Sequence, residues 1–179
     1  MGFSAPRLGE LAPDFFARTT EGRGLWLSAL RGKLVLLHFF ADVTGPASDL
    51  EAKAFAEREP EIRTLGGEII GVAPAGLEAV CRFAAAHGAR FPLVPDERGE
   101  VARSYGVLDD QGRARATFLV DEAGSVALAL GPEVIPIERV AMLVEALRER
   151  AYERTEQAPR SSLRSIPSRA GVVVAGRYR

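Results

Sequence analysis

Leu34 to Phe40 is apolar at every position except His38, and so predicts a strand buried on both faces. A loop with Thr44, Gly45 and Pro46 follows, and a helical pattern begins near Ala47. Leu50, Ala54, Phe55, Ile62 and Leu65 give that helix an apolar face. Pro60 has no amide hydrogen and predicts a break into two helical pieces, and Gly66-Gly67 ends the pattern. Glu68 to Val72 predicts a second buried strand. A strand, a helix and a strand in that order form a βαβ unit, with parallel strands and a right-handed crossover.

The N-terminal stretch reads as a small hairpin. Phe15 to Thr19 is its first strand, Glu21 to Gly24 its turn and Leu25 to Leu27 the return strand. Ser28 is expected to cap a short turn ending at Gly32. Beyond the βαβ unit, Leu77 to His87 predicts a helix with Val80, Phe83, Ala84 and His87 on one face. Phe91 to Asp96 reads as irregular extended chain, Glu100 to Tyr105 as a short helix, and Asp109 to Gly112 as a turn. Ala116 to Val120 and Val126 to Leu130 flank Asp121-Glu122-Ala123-Gly124 as an antiparallel hairpin. Val140, Leu143, Val144, Leu147 and Ala151 stripe a closing helix from Pro136 to about Glu153. The pattern predicts one domain over residues 1–154. Residues 155–179 form a basic tail of Ser, Pro and Gly, with Gly171 to Ala175 as a candidate docking strand.

Composition narrows the function classes. A formal net charge of -1 over 179 residues gives no electrostatic reason to expect nucleic acid. No apolar run approaches the roughly 18 residues of a membrane span, and Met1 to Glu10 lacks the pattern of a signal peptide. Cys81 is the only cysteine, so no internal disulfide forms, which fits a reducing cytoplasm. His38 and His87 stand isolated, with no metal-ligand spacing, and no cofactor is implied.

The chemistry is expected where the central strand feeds the long helix. Free N–H groups and the positive end of the helix dipole there favour an anion. A redox protein places a cysteine thiolate in that field. This chain has Thr44, Ala47 and Ser48 instead.

Parallel strands flanked by helices, then a hairpin and a closing helix, suggest the thioredoxin fold: an α/β chain with a central mixed β-sheet and an N-terminal β extension. Four stretches resemble the peroxiredoxins, in particular the bacterioferritin-comigratory branch of the alkyl hydroperoxide reductase/thiol-specific antioxidant (AhpC/TSA) superfamily. Gly9 to Phe15 is similar to that family's G-x-x-A-P-D-F, and Leu30 to Lys33 to its L-R-G-K. Phe91 to Asp96 with Tyr105-Gly106-Val107 resembles F-P-L-x-x-D and Y-G-V. Arg115 to Asp121 resembles R-A-T-F-x-x-D. The family's F-F-P-x-x-x-T-P-x-C-x-x-E, laid over Phe39-Phe40 without gaps, puts Ala41 at the proline, Gly45 at the threonine and Ser48 at the peroxide-attacking cysteine. Pro46 and Glu51 are kept, and Arg115 falls on the active-site arginine.

The resemblance implies thiol-dependent reduction of hydrogen peroxide and organic hydroperoxides, with a thioredoxin-type protein as reductant. Ser48 implies that this activity is lost or strongly impaired, leaving a binding or regulatory role toward a small polar ligand or peroxide, with a homodimer as one route. Several alternatives stay open. Ser48 is a polar helix-start residue, a ligand-binding remnant, or an engineered change. Cys81 is a small apolar residue, or stands at the resolving-cysteine position of some members and carries an unusual peroxidase or redox-sensor chemistry. Arg115 holds an anion, or pairs with a carboxylate such as Glu51. A thioredoxin-like reductase would instead place Thr44-Gly45-Pro46-Ala47 at a degenerate C-G-P-C.

Overall fold

The structure is a computed structural model and describes residues 5–157. A short hairpin, β1 (Phe16–Arg18) and β2 (Gly24–Trp26), leads through a 3-10 turn, Leu27–Leu30, to the central strand β3 (Leu34–Phe39). Ser28 does not cap that turn. The turn starts after Trp26 without a side-chain cap, and Ser28 N–H donates to Asp14 Oδ1 at 2.9 Å.

The next elements are α1 (Pro46–Thr64), β4 (Gly67–Ala73), α2 (Leu77–His87), β5 (Leu93–Pro95) and α3 (Glu100–Ser104). The chain closes with β6 (Ala116–Val120), β7 (Val126–Leu130) and α4 (Pro136–Gln157). The sheet order is β5-β4-β3-β6-β7. β3, β4 and β5 run parallel, and β6 and β7 are antiparallel additions. The stretch expected to be irregular, Phe91 to Asp96, therefore supplies an edge strand. Pro95 is tolerated at its end because an edge position needs fewer ladder donors.

Alternation along β3 builds two cores. Leu34, Leu36 and Phe40 face α1, α2 and α4, where Phe55, Ile62, Val80, Phe83, Leu143 and Leu147 pack. Val35, Leu37 and Phe39 face α3 and the N-terminal hairpin, against Phe15, Val101 and Tyr105. Strand parity places His38 with the first set, beneath α1 and α4.

α1 differs from the expectation in two ways. It is one helix with Pro60 inside it. The proline is exposed, while Phe55, Glu59 and Ile62 around it are buried. Burial on both sides of the proline outweighs the roughly 3 kcal/mol that an interior proline costs. Its apolar face holds at Ala54, Phe55, Ile62 and Leu65, but Leu50 is 52% exposed, and Ser48, Glu51 and Ala52 turn inward at the first two turns. α2 ends at Gly88, whose φ of 64° suits a residue without Cβ. α4 continues past the expected end to Gln157, and the candidate docking strand Gly171 to Ala175 lies outside the described residues.

Candidate functional site

β3 delivers the chain to the start of α1, where Gly45 is the N-cap residue and Pro46 the first helical residue. Pro46 suits that place because its missing N–H would have no partner there. An acidic side chain holds the loop just ahead of this helix start. Asp42 Oδ1 accepts from Thr44 N–H at 2.9 Å and from Gly45 N–H. Its charge then faces the positive end of the helix dipole. The arrangement requires glycine at 45. A Cβ there would lie 2.6 Å from Asp42 Oδ2 and 2.8 Å from Oδ1. The threonine that the resemblance expects at this place and the Asp42 carboxylate exclude each other.

Ser48 lies in the first turn of α1, fully buried, and its Oγ has no partner among the described residues. One turn on, Glu51 is also fully buried. It does not pair with Arg115. It meets His38 Nε2 at 3.4 Å and Arg139 Nε at 3.5 Å, both long contacts between fully buried side chains. His38 stands opposite Thr117 in the β3–β6 register, and its Nδ1 lies 2.7 Å from Thr117 Oγ1. Arg139 Nη1 donates to the same Oγ1 at 3.4 Å and to Leu130 O at 3.2 Å. Its Nη2 donates to Gly131 O and Val134 O, each at 2.8 Å. His38, Glu51, Arg139 and Thr117 thus close a polar ring between β3, α1, α4 and β6, and His38 is not isolated.

Charge states follow from these neighbours. Burial holds His38 below its ordinary range against the pull of Glu51, so its imidazole is neutral near pH 7. Burial pushes Glu51 upward, but the His38 contact and the Arg139 and Arg115 charges outweigh it and hold the carboxyl below its usual range. A neutral His38 is best placed as the tautomer whose Nδ1 accepts from Thr117 Oγ1–H and whose Nε2–H faces the Glu51 carboxylate, because a bare Nε2 lone pair there would be repelled.

Arg115 immediately precedes β6 and lines a cleft of about 260 Å³ with Ala41, Asp42, Asp109, Arg113 and Pro132. Asp109 is engaged by Arg113 Nε at 3.3 Å and by the N–H groups of Gln111 and Arg113. Asp42 is engaged at the helix start. Arg115 makes no ion pair among the described residues, and its buried Nε has no acceptor. Ser48 and Cys81 are not among the residues lining this cleft. Cys81 is a half-buried residue of α2. Of the residues singled out in the sequence, the fold therefore brings Ala41 and Arg115 to one opening, with Gly45 and Pro46 behind Asp42. It places Ser48 and Glu51 in the interior.

Three participants went unnoticed in the sequence. Arg139 carried a signal, since it falls four and eight residues before Leu143 and Leu147, on the apolar stripe of α4. Asp42 carried another: an aspartate two and three residues before Thr44 and Gly45 is the spacing of an Asx turn. Thr117 had only strand parity.

The sequence model of the AhpC/TSA family matches residues 8–129. The chain belongs to the AhpC/TSA family. A peroxiredoxin of Hyperthermus butylicus is 32% identical over 161 residues, covering 83% of this chain and 69% of that protein. Peroxiredoxin Bcp of Bacillus subtilis is 29% identical over 125 residues, covering 65% of this chain and 80% of its own. Among solved structures, peroxidoxin BcpB of Mycobacterium tuberculosis superposes with a TM-score of 0.74 at 23% identity, over 80% of this chain and 97% of that one. The bacterioferritin comigratory protein of Xanthomonas campestris, described for its alkyl peroxide reduction, gives a TM-score of 0.72 at 25% identity, over 82% and 98%.

AhpC/TSA-type peroxide reduction needs a sulfur that can give up two electrons. The thiolate attacks one peroxide oxygen, the O–O bond breaks, the alkoxide leaves and takes a proton, and the sulfur becomes a sulfenic acid. This AhpC/TSA chain offers one sulfhydryl, Cys81, half-buried on α2 rather than at the start of α1.

Proposed function

We propose that this AhpC/TSA-family protein is a binding protein without thiol-peroxidase turnover, whose accessible site is the cleft at Arg115. The observation that carries this reading is the state of the α1 start. The position where the resemblance puts the attacking cysteine holds a fully buried alcohol, and the loop that leads into the helix is held on the Asp42 carboxylate through Thr44 and Gly45 N–H. A serine oxygen cannot play the part of the sulfur. Attack on a peroxide would exchange one O–O bond for another and reduce nothing. No helix among the described residues is long and apolar enough to cross a membrane. A single cysteine is compatible with a reducing cytoplasm, which we propose as its setting.

The test is peroxide consumption with a thioredoxin-type reductant, comparing the wild-type chain with Cys81→Ala. A sulfenic-acid trap read by mass spectrometry runs beside it. Equal loss of hydrogen peroxide in both samples is expected, with no trapped Cys81 on the turnover timescale. Thiol-dependent turnover that Cys81→Ala abolishes would overturn the proposal and move the chemistry to α2.

A further inference from the structure

The Arg115 cleft adjoins a second, mostly apolar one of about 330 Å³. The two share Val107, Asp109, Arg115 and Pro132. The second adds Leu108 and Phe118, and the exposed face of Ala129 on β7. A cation therefore stands where a polar opening meets an apolar groove. The charges around it are spoken for. Asp109 is held by Arg113 and by backbone N–H groups, and Asp42 by the start of α1. Beneath the cleft, Glu51 meets Arg139 and the neutral His38. Arg115 makes no ion pair among the described residues, and its buried Nε has no acceptor. A partly buried cation in that condition favours an anion from solution.

The cation of the opening is Arg115, and the groove continues from it along Val107, Leu108 and Phe118. We propose that the joined clefts bind a monocarboxylate with an unbranched apolar body, its head on the Arg115 guanidinium and its body in the apolar groove. A planar carboxylate suits the guanidinium fork, and the apolar body gains by leaving water. The joined clefts are of the size that small-molecule sites occupy. This inference rests on the reading of the cleft as a binding site, and does not depend on the absence of peroxidase turnover.

The experiment is isothermal titration calorimetry of the full chain with sodium octanoate, octanamide and sodium acetate. Octanoate should bind with a stoichiometry of one. Octanamide, which lacks the charge, and acetate, which lacks the body, should each bind about tenfold or more weakly, a charge-assisted hydrogen bond or a buried chain being worth at least that factor. Arg115→Gln should lower octanoate affinity by a similar factor. Ala129→Glu, on the exposed edge strand, should lower it independently while leaving the melting curve unchanged. Octanamide binding as tightly as octanoate, or octanoate affinity untouched in both variants, would overturn the proposal. So would the absence of octanoate binding, and it would leave the peroxide-consumption result standing.

Discussion

Asp42 and Gly45 act as one device. The carboxylate takes the space that a side chain at 45 would enter, and it holds the Thr44 and Gly45 N–H groups just ahead of α1. Asp42→Ala should cost about 1 kcal/mol, the usual net worth of an intramolecular hydrogen bond. Gly45→Ala should cost a similar amount by displacing the carboxylate, although its φ of -93° suits any residue. In an Asp42→Ala background, Gly45→Ala should cost nothing or stabilise slightly, since alanine lowers the entropy of the unfolded chain. Urea unfolding of the two single variants and the double variant closes the cycle. Strictly additive losses would mean that the two residues act separately.

At the level of elements, α1 carries both the site and a flaw. Pro60 interrupts its hydrogen bonding on the exposed side, and the helix persists because Phe55, Glu59 and Ile62 hold it against β3 and α4. Pro60→Ala restores an N–H and removes the ring. The gain is up to about 3 kcal/mol in the helix, less about 0.4–1 kcal/mol from the freer unfolded chain. The variant should melt higher by several degrees and keep the fold. A lower melting temperature would mean that the proline sets a bend on which the packing of α1 depends. Sequence periodicity located α1 and most of its apolar face, but erred at the face's first turns and on the helix's continuity. Leu50 looks like a core residue and points to water, while Ser48 and Glu51 look like surface residues and point inward.

Across the whole molecule, the ring of His38, Glu51, Arg139 and Thr117 joins β3, α1, α4 and β6 at one buried point. It ties the stability of the fold to pH. His38 in the folded chain titrates below its ordinary 6.5, so between the two values the unfolded chain binds a proton that the folded one refuses. Stability is therefore full above 6.5 and falls as the pH drops below it. Glu51 acts in the same direction at lower pH. Its folded value lies below the ordinary 4.5, so its contribution is full above 4.5 and is lost as the pH falls through the folded value. The melting temperature should decline from neutral pH to about pH 5, the range in which histidine titrates. His38→Gln should flatten that decline. An equal slope in the variant would place the titrating group elsewhere.

The sequence by itself determined the order and type of the elements, the parallel βαβ unit and the family. Those rest on local periodicity, on turn residues and on short motifs, each complete within a few neighbouring positions. It also placed Ser48 in the first turn of the long helix. Only the tertiary structure decided what Glu51 touches. Arg139 arrives from α4, far along the chain, and takes the contact that the sequence offered as one alternative for Arg115. Burial turns His38, Glu51 and Arg139 into one closed ring, because charges removed from water must find one another across elements. Asp42 belongs to both levels. Its spacing to Gly45 is written in the sequence, but its place beside the start of α1 is decided by where β3 delivers the loop.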